Sequence, residues 1–142
     1  MKILITHFRV GKTDGTSLEI SKRKKFLEDM GHEVYLLSGP VQQGADFVIE
    51  EMEFDVPKYI KLRNNCILKF DDYENKEKLK QHLYSVEKVI EKKLNQLLTE
   101  NDFDMMFVHN IFSLAINITV TIEFYKVIKK TKIPFYAVNH YF

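Results

Sequence analysis

Residues Lys2–Thr6, KILIT, form a short apolar, β-branched run with no polar alternation, and this feature restricts the fold more than any other in the chain. Such a strand has to be covered on both faces, the condition met in a parallel sheet between helices. After a polar loop containing Gly11 and Gly15, residues Ser17–Met30 read as a helix that stops at Gly31, a residue that takes the left-handed C-cap conformation freely. His32–Ser38, HEVYLLS, is then a second strand. Strand, helix and strand occupy about 37 residues, the size of one right-handed βαβ unit.

Beyond Gly39 the pattern weakens. Ala45–Glu50 reads as a third strand, and Pro57–Cys66 as an irregular or helical excursion. From Asn75 to Glu100 the residues Leu79, Leu83, Val86, Ile90, Leu94 and Leu97 recur at steps of three and four, which is one stripe of a long helix. Its Lys- and Glu-rich side reads as a solvated face. Asp104–His109, DMMFVH, and Ile133–Val138, IPFYAV, are further buried strands, the latter entered through Pro134.

Ser113–Lys130 carries mixed signals. Ile, Val and Thr dominate Ile116–Ile122 and favour a strand locally. Against that, Ile111, Ala115, Ile118, Ile122 and Tyr125 recur at helical steps, and Lys126, Lys129 and Lys130 gather where a helix dipole favours cations. Two parallel neighbours also need a crossover between them, so a helix is expected. The order of elements predicts an α/β fold, a doubly wound Rossmann-like parallel sheet with helices on both faces, in a single domain spanning 1–142.

Composition narrows the function. The 142 residues carry 21 Lys plus Arg against 20 Asp plus Glu, a net charge of +1, so the basic footprint of a nucleic-acid binder is missing. With 45 % apolar residues the chain closes a core, since a domain of about 150 residues buries roughly 70 % of its unfolded surface. One cysteine, Cys66, makes neither an internal disulfide nor a thiolate cage, which fits a reducing compartment and a cytoplasmic location. No apolar run reaches the roughly 18–20 residues of a membrane span. The basic run Lys22–Arg23–Lys24–Lys25 is mixed with Glu19, Glu28 and Asp29, and reads as a solvated helix face more readily than as a peripheral membrane contact.

In parallel sheets ligands bind beyond the carboxyl ends of the strands. His7 follows the first strand, His109 and Asn110 close the fourth, and Asn139 and His140 close the last. His32 and His82 fall elsewhere and are expected to be structural. A zinc site from His7, His109 and His140 is conceivable, yet no fixed-spacing ligand pair is present, and no metal is expected. Gly11–Lys12–Thr13 resembles the tail of a P-loop. The first glycine position is Thr6, however, and Asp14–Gly15 interrupts the place where the helix should run. Gly15 remains as a glycine beside a helix N-terminus, suited to a phosphate or sugar oxygen or simply to a turn.

Two stretches resemble the N-terminal half of a GT-B glycosyltransferase of the retaining family 4 type. One is Asp14–Gly15–Thr16–Ser17–Leu18–Glu19, a helix, then Gly31–His32–Glu33–Val34 and a strand ending at Ser38–Gly39. The other runs from Asp104 through Phe107–Val108–His109–Asn110 to Pro134 and Asn139–His140–Tyr141–Phe142. The resemblance implies that Gly15 approaches the donor diphosphate and acceptor, that His109 and Asn110 line the acceptor side, and that His140 contacts the transferred sugar as the catalytic histidine; Thr16, next to Gly15, and His7, on the same edge, are further candidate substrate-binding residues. Asp14 stands where many members have a first glycine, and Tyr141 where many have aspartate. The resemblance further implies that the nucleotide-sugar donor is held by a C-terminal half or a partner subunit, without metal or other cofactor, so that this chain is inactive alone and its last strand is the least secure. The alternative is a non-enzymatic Rossmann-like domain that binds a ligand or a partner.

Overall fold

The computed structural model describes residues 1–11, 13–41, 44–114 and 116–140. Five strands, β1 (Lys2–Thr6), β2 (Glu33–Ser38), β3 (Phe47–Val48), β4 (Met105–His109) and β5 (Phe135–Val138), pair in the order β3-β2-β1-β4-β5, every pair parallel. Four helices accompany them: α1 (Gly15–Asp29), α2 (Pro57–Ile67), α3 (Lys76–Asn101) and α4 (Ile118–Thr131). This is the expected Rossmann-like α/β architecture.

Central strand β1 is buried from both sides, as its uninterrupted apolar run requires. Ile3 and Ile5 turn to the α1 side and pack with Ile20, Val34 and Leu36. Leu4 turns to the opposite side, into a larger core with Met106, Val108 and residues of α2, α3 and α4. The whole expected stripe of α3 enters that core: Val86, Ile90, Leu94 and Leu97 are buried, and Leu79 and Leu83 pack partly against them. Each fully buried leucine or isoleucine contributes about 1.5–3 kcal/mol relative to exposure. Facing residues Val120, Phe124, Val127 and Ile128 of α4 complete the layer.

Several boundaries differ from expectation for identifiable reasons. α1 starts at Gly15, two residues before the expected Ser17, because Asp14 acts as its N-cap and accepts from the Ser17 backbone N–H at 3.0 Å. It ends as expected, with Gly31 at φ +89°. The third strand shrinks to Phe47–Val48, since Glu50–Met52 already turns into a short 3-10 helix. Pro57–Ile67 is a regular helix with proline in its first turn, where the missing N–H costs nothing.

The helical reading of Ser113–Lys130 holds only from Ile118. Asn117 caps α4 by accepting from Val120 N–H, and its amide donates to the Glu51 and Glu53 carbonyls at 3.0 and 2.8 Å. Upstream, Asn110 adopts φ +59° and starts a turn, so Ile111 is buried without being helical. Ala115 lies outside the described residues. β5 is the most open strand, with Phe135 and Tyr136 exposed and Tyr136 stacked on Phe107 at 5.7 Å. Among the described residues no helix is long and apolar enough to cross a membrane.

Candidate functional site

The direction of the strand order reverses at β1, whose neighbours are β2 and β4. His7 directly follows β1, His109 ends β4 and His140 lies two residues past β5. Adjacent strands therefore deliver all three histidines to one crevice at the carboxyl edge, as their positions in sequence predict.

Two of the rings touch. His109 and His140 stack at 5.2 Å with 18° between planes, and His109 Nδ1 lies 2.9 Å from His140 Nε2. The other nitrogen of His140, Nδ1, lies 2.9 Å from Oε2 of Glu19 on α1. A carboxylate only accepts, so His140 carries its proton on Nδ1. For neutral rings, Nε2 of His140 then accepts and His109 donates from Nδ1, which leaves His109 Nε2 as a lone pair, buried without a partner. Burial, helped by the nearby Arg23 guanidinium and His140, lowers the His109 pKa from 6.5 to about 3. His109 is thus a neutral imidazole at pH 7.

His7 Nδ1 is 3.0 Å from the His109 carbonyl oxygen, and donates to it. Burial lowers its pKa in spite of that bond and of the Asp14 carboxylate. Asn110 supports the same corner. Its Oδ1 accepts from the His140 backbone N–H at 2.8 Å, and its own N–H donates to the Val138 carbonyl at 2.9 Å. The left-handed backbone at Asn110 makes this double grip possible, a conformation that asparagine tolerates better than most residues. Its Nδ2 is buried and has no partner.

A cavity of about 340 Å³ opens beside this corner, walled by His7, Phe8, Asp14, Thr16, Phe54 and Asn110, with Arg9 at its side. Asp14 turns both carboxylate oxygens to the start of α1, accepting from Ser17 N–H and Ser17 Oγ, each at 3.0 Å. Against the burial that would raise it, those two bonds, with Arg9, hold its pKa below the usual value.

Of the expected site residues, His7, Thr16 and Asn110 line the cavity, while His109 and His140 form the adjoining stack. Gly15 is the first residue of α1, and a Cβ built on it meets nothing within 4 Å, so packing does not demand glycine there. Lys12, Tyr141 and Phe142, named by the P-loop comparison and by the family pattern, lie outside the described residues. His32 and His82 do take structural partners, the chain's amino terminus at 3.1 Å and the Tyr73 hydroxyl at 2.6 Å. The basic run of α1 is paired along its own helix, Arg23 with Glu19, Lys24 with Glu28 and Lys25 with Asp29. Among the described residues no group of three His, Cys, Asp or Glu is placed to hold a metal ion.

Two residues of the site, Glu19 and Arg9, were not among the expected site residues. Glu19 meets a partner 121 positions away, which no local spacing reveals. Arg9 stands only two residues after His7 in the loop leaving β1, and that proximity was the available clue.

No protein-family model matches the chain. It is 33 % identical over 116 residues to the mannosylglucosylglycerate synthase of Thermotoga maritima, covering 82 % of this chain and 27 % of that protein. It is 35 % identical over all 142 residues to the mannosylglucosylglycerate synthase of Petrotoga mobilis, covering 32 % of that protein. Homologues at 33–35 % identity are therefore mannosylglucosylglycerate synthases, and the chain spans about a third of their length.

Proposed function

We propose that the chain forms the acceptor-side half of a GT-B glycosyltransferase of the family 4 type, acting on a nucleotide-activated hexose and a glycosylated acid acceptor. The observation that carries this reading is the histidine stack and adjoining cavity at the carboxyl edge, in a chain matched along its whole length by a mannosylglucosylglycerate synthase. A C-terminal half or a partner subunit supplies the donor site, consistent with the span of about a third of the relatives, and no metal or other cofactor is invoked. A cytoplasmic setting, suggested by the single cysteine, belongs to the same reading.

In this mechanism His140 positions the transferred sugar. A retaining transfer builds positive charge on the donor sugar, and the His140 backbone carbonyl, set in place by the two hydrogen bonds of the ring, complements that charge without moving a proton. Glu19 and His109 hold the ring from its two nitrogens. His7, Thr16 and Asn110 meet the acceptor, and Gly15 leaves the start of α1 open to the diphosphate.

The test supplies the remaining two thirds of the Petrotoga relative in trans and measures mannosyl transfer from a nucleotide-activated mannose to glucosylglycerate. The chain alone is expected to give negligible turnover and the reconstituted pair measurable turnover. His140→Ala should lower that turnover by about 10²–10³-fold, the scale of a lost catalytic electrostatic contact, with Cys66→Ala unchanged. A His140→Ala rate within about twofold of the parent would refute the role given to this ring.

A further inference from the structure

The cavity beside the histidine stack contains a cation that the transfer reading leaves without a task. Arg9 lies over the Phe54 ring, its guanidinium carbon 5.4 Å from the centroid, and among the described residues it makes no ion pair and no hydrogen bond. The contact with the ring leaves the N–H edges uncommitted, and a guanidinium with free edges is suited to two parallel bonds to an anionic group.

Asn110, which lines the same cavity, carries a second uncommitted donor. Asn110 is 1 % exposed, and its Oδ1 is taken by the His140 backbone N–H, so the amide is oriented with Nδ2 on the side away from that bond. Nδ2 has no partner. Buried donors are normally satisfied, and an incoming acceptor oxygen would satisfy this one. The one carboxylate in the cavity wall, Asp14, is turned to its own helix start through Ser17 and does not neutralise Arg9 by direct contact. At about 340 Å³ the cavity falls in the range of small-molecule sites, roughly 300–1,000 Å³.

We propose that Arg9, together with Asn110, reads the carboxylate of the acceptor and so selects a sugar acid over the corresponding neutral sugar alcohol. The assignment to the acceptor rests on the transfer reading above; the anion preference itself rests on the two donors. A carboxylate and a diphosphate share the same chemistry toward a guanidinium, and the experiment separates them.

Binding of glucosylglycerate, glucosylglycerol and inorganic pyrophosphate to the 142-residue chain is measured by calorimetry, with Arg9→Gln and Arg9→Lys variants checked for an unchanged circular dichroism spectrum. Glucosylglycerate is expected to bind at least tenfold more tightly than glucosylglycerol, which differs only in the carboxylate. Arg9→Gln should abolish that preference and Arg9→Lys should keep part of it, since a point charge replaces the fork. Equal binding of acid and alcohol, no binding of the acid, or an undiminished preference in Arg9→Gln would overturn the proposal. Tighter binding of pyrophosphate than of the acid, lost in Arg9→Gln, would overturn it in favour of a donor-phosphate site. Charge-selective binding together with a reconstituted pair that transfers no sugar would refute the transfer reading and leave the anion site standing.

Discussion

Lowering the pH from 7 to 5 should cost this domain about 2 kcal/mol of stability through His109 alone. In the unfolded chain the imidazole takes a proton near 6.5, whereas in the folded chain burial, Arg23 and His140 delay protonation to about 3. Between those values the unfolded chain binds more protons, so acid favours unfolding. The contribution is complete above pH 6.5 and is lost progressively as the pH falls toward 3. At 1.36 kcal/mol per unit the full interval amounts to about 5 kcal/mol, of which about 2 is lost by pH 5. The His109 side chain is fully buried, so solvent does not screen the effect away. Urea unfolding at pH 7, 6 and 5 reads it directly: with a slope of about 2 kcal/mol per molar, the midpoint should fall by roughly 1 M. His109→Gln, which cannot titrate but keeps a donor for His140, should show a dependence shallower by about that amount. His7, whose pKa burial also lowers, leaves a residual slope of the same sign in both proteins. Parallel curves for the parent and His109→Gln would refute the reasoning.

Two further outcomes follow from the same geometry. Glu19→Ala should lower the turnover of the reconstituted enzyme by about tenfold through kcat, with Glu19→Gln restoring most of it, because an amide still bonds the His140 ring; equal losses in both variants would mean that the hydrogen bond is not what positions the ring. Gly39→Ala should destabilise the fold by about 1–3 kcal/mol in thermal unfolding, since the added Cβ would sit 2.7 Å from the Phe8 carbonyl oxygen and 3.2 Å from the Met52 carbonyl carbon, both backbone atoms.

The sheet was readable from sequence because both of its signals are local. KILIT announces a strand covered on two sides, and the leucine stripe of α3 marks the face that covers one of them. The histidines were placed correctly for the same reason: in a parallel sheet, position after a strand determines the edge. What remained hidden depends on long-range partners. The Asn117 amide closes on the Glu51 and Glu53 carbonyls more than sixty residues earlier, and that grip, not side-chain periodicity, sets the start of α4. Glu19 looked like one more charge on a basic helix, and it does pair with Arg23 one turn on. Its second contact, with His140, arises only when β5 is laid beside β4.

The two layers around the sheet are unequal. Among the described residues twenty buried apolar side chains pack on the side of α2, α3 and α4, and six on the side of α1. Local opening follows such differences, so the α1 layer detaches from the sheet at less cost than the α3–α4 layer does, and the larger core persists when it opens. Asp14, Thr16 and Glu19 travel with it. Opening α1 breaks the Glu19–His140 contact and removes one wall of the cavity, yet leaves His7 and His109 at the ends of their strands. Amide exchange in α1 is therefore coupled to the geometry of the site. A ligand that bridges α1 and β4 slows that exchange first, since it ties the lightly anchored layer to the firmly anchored one.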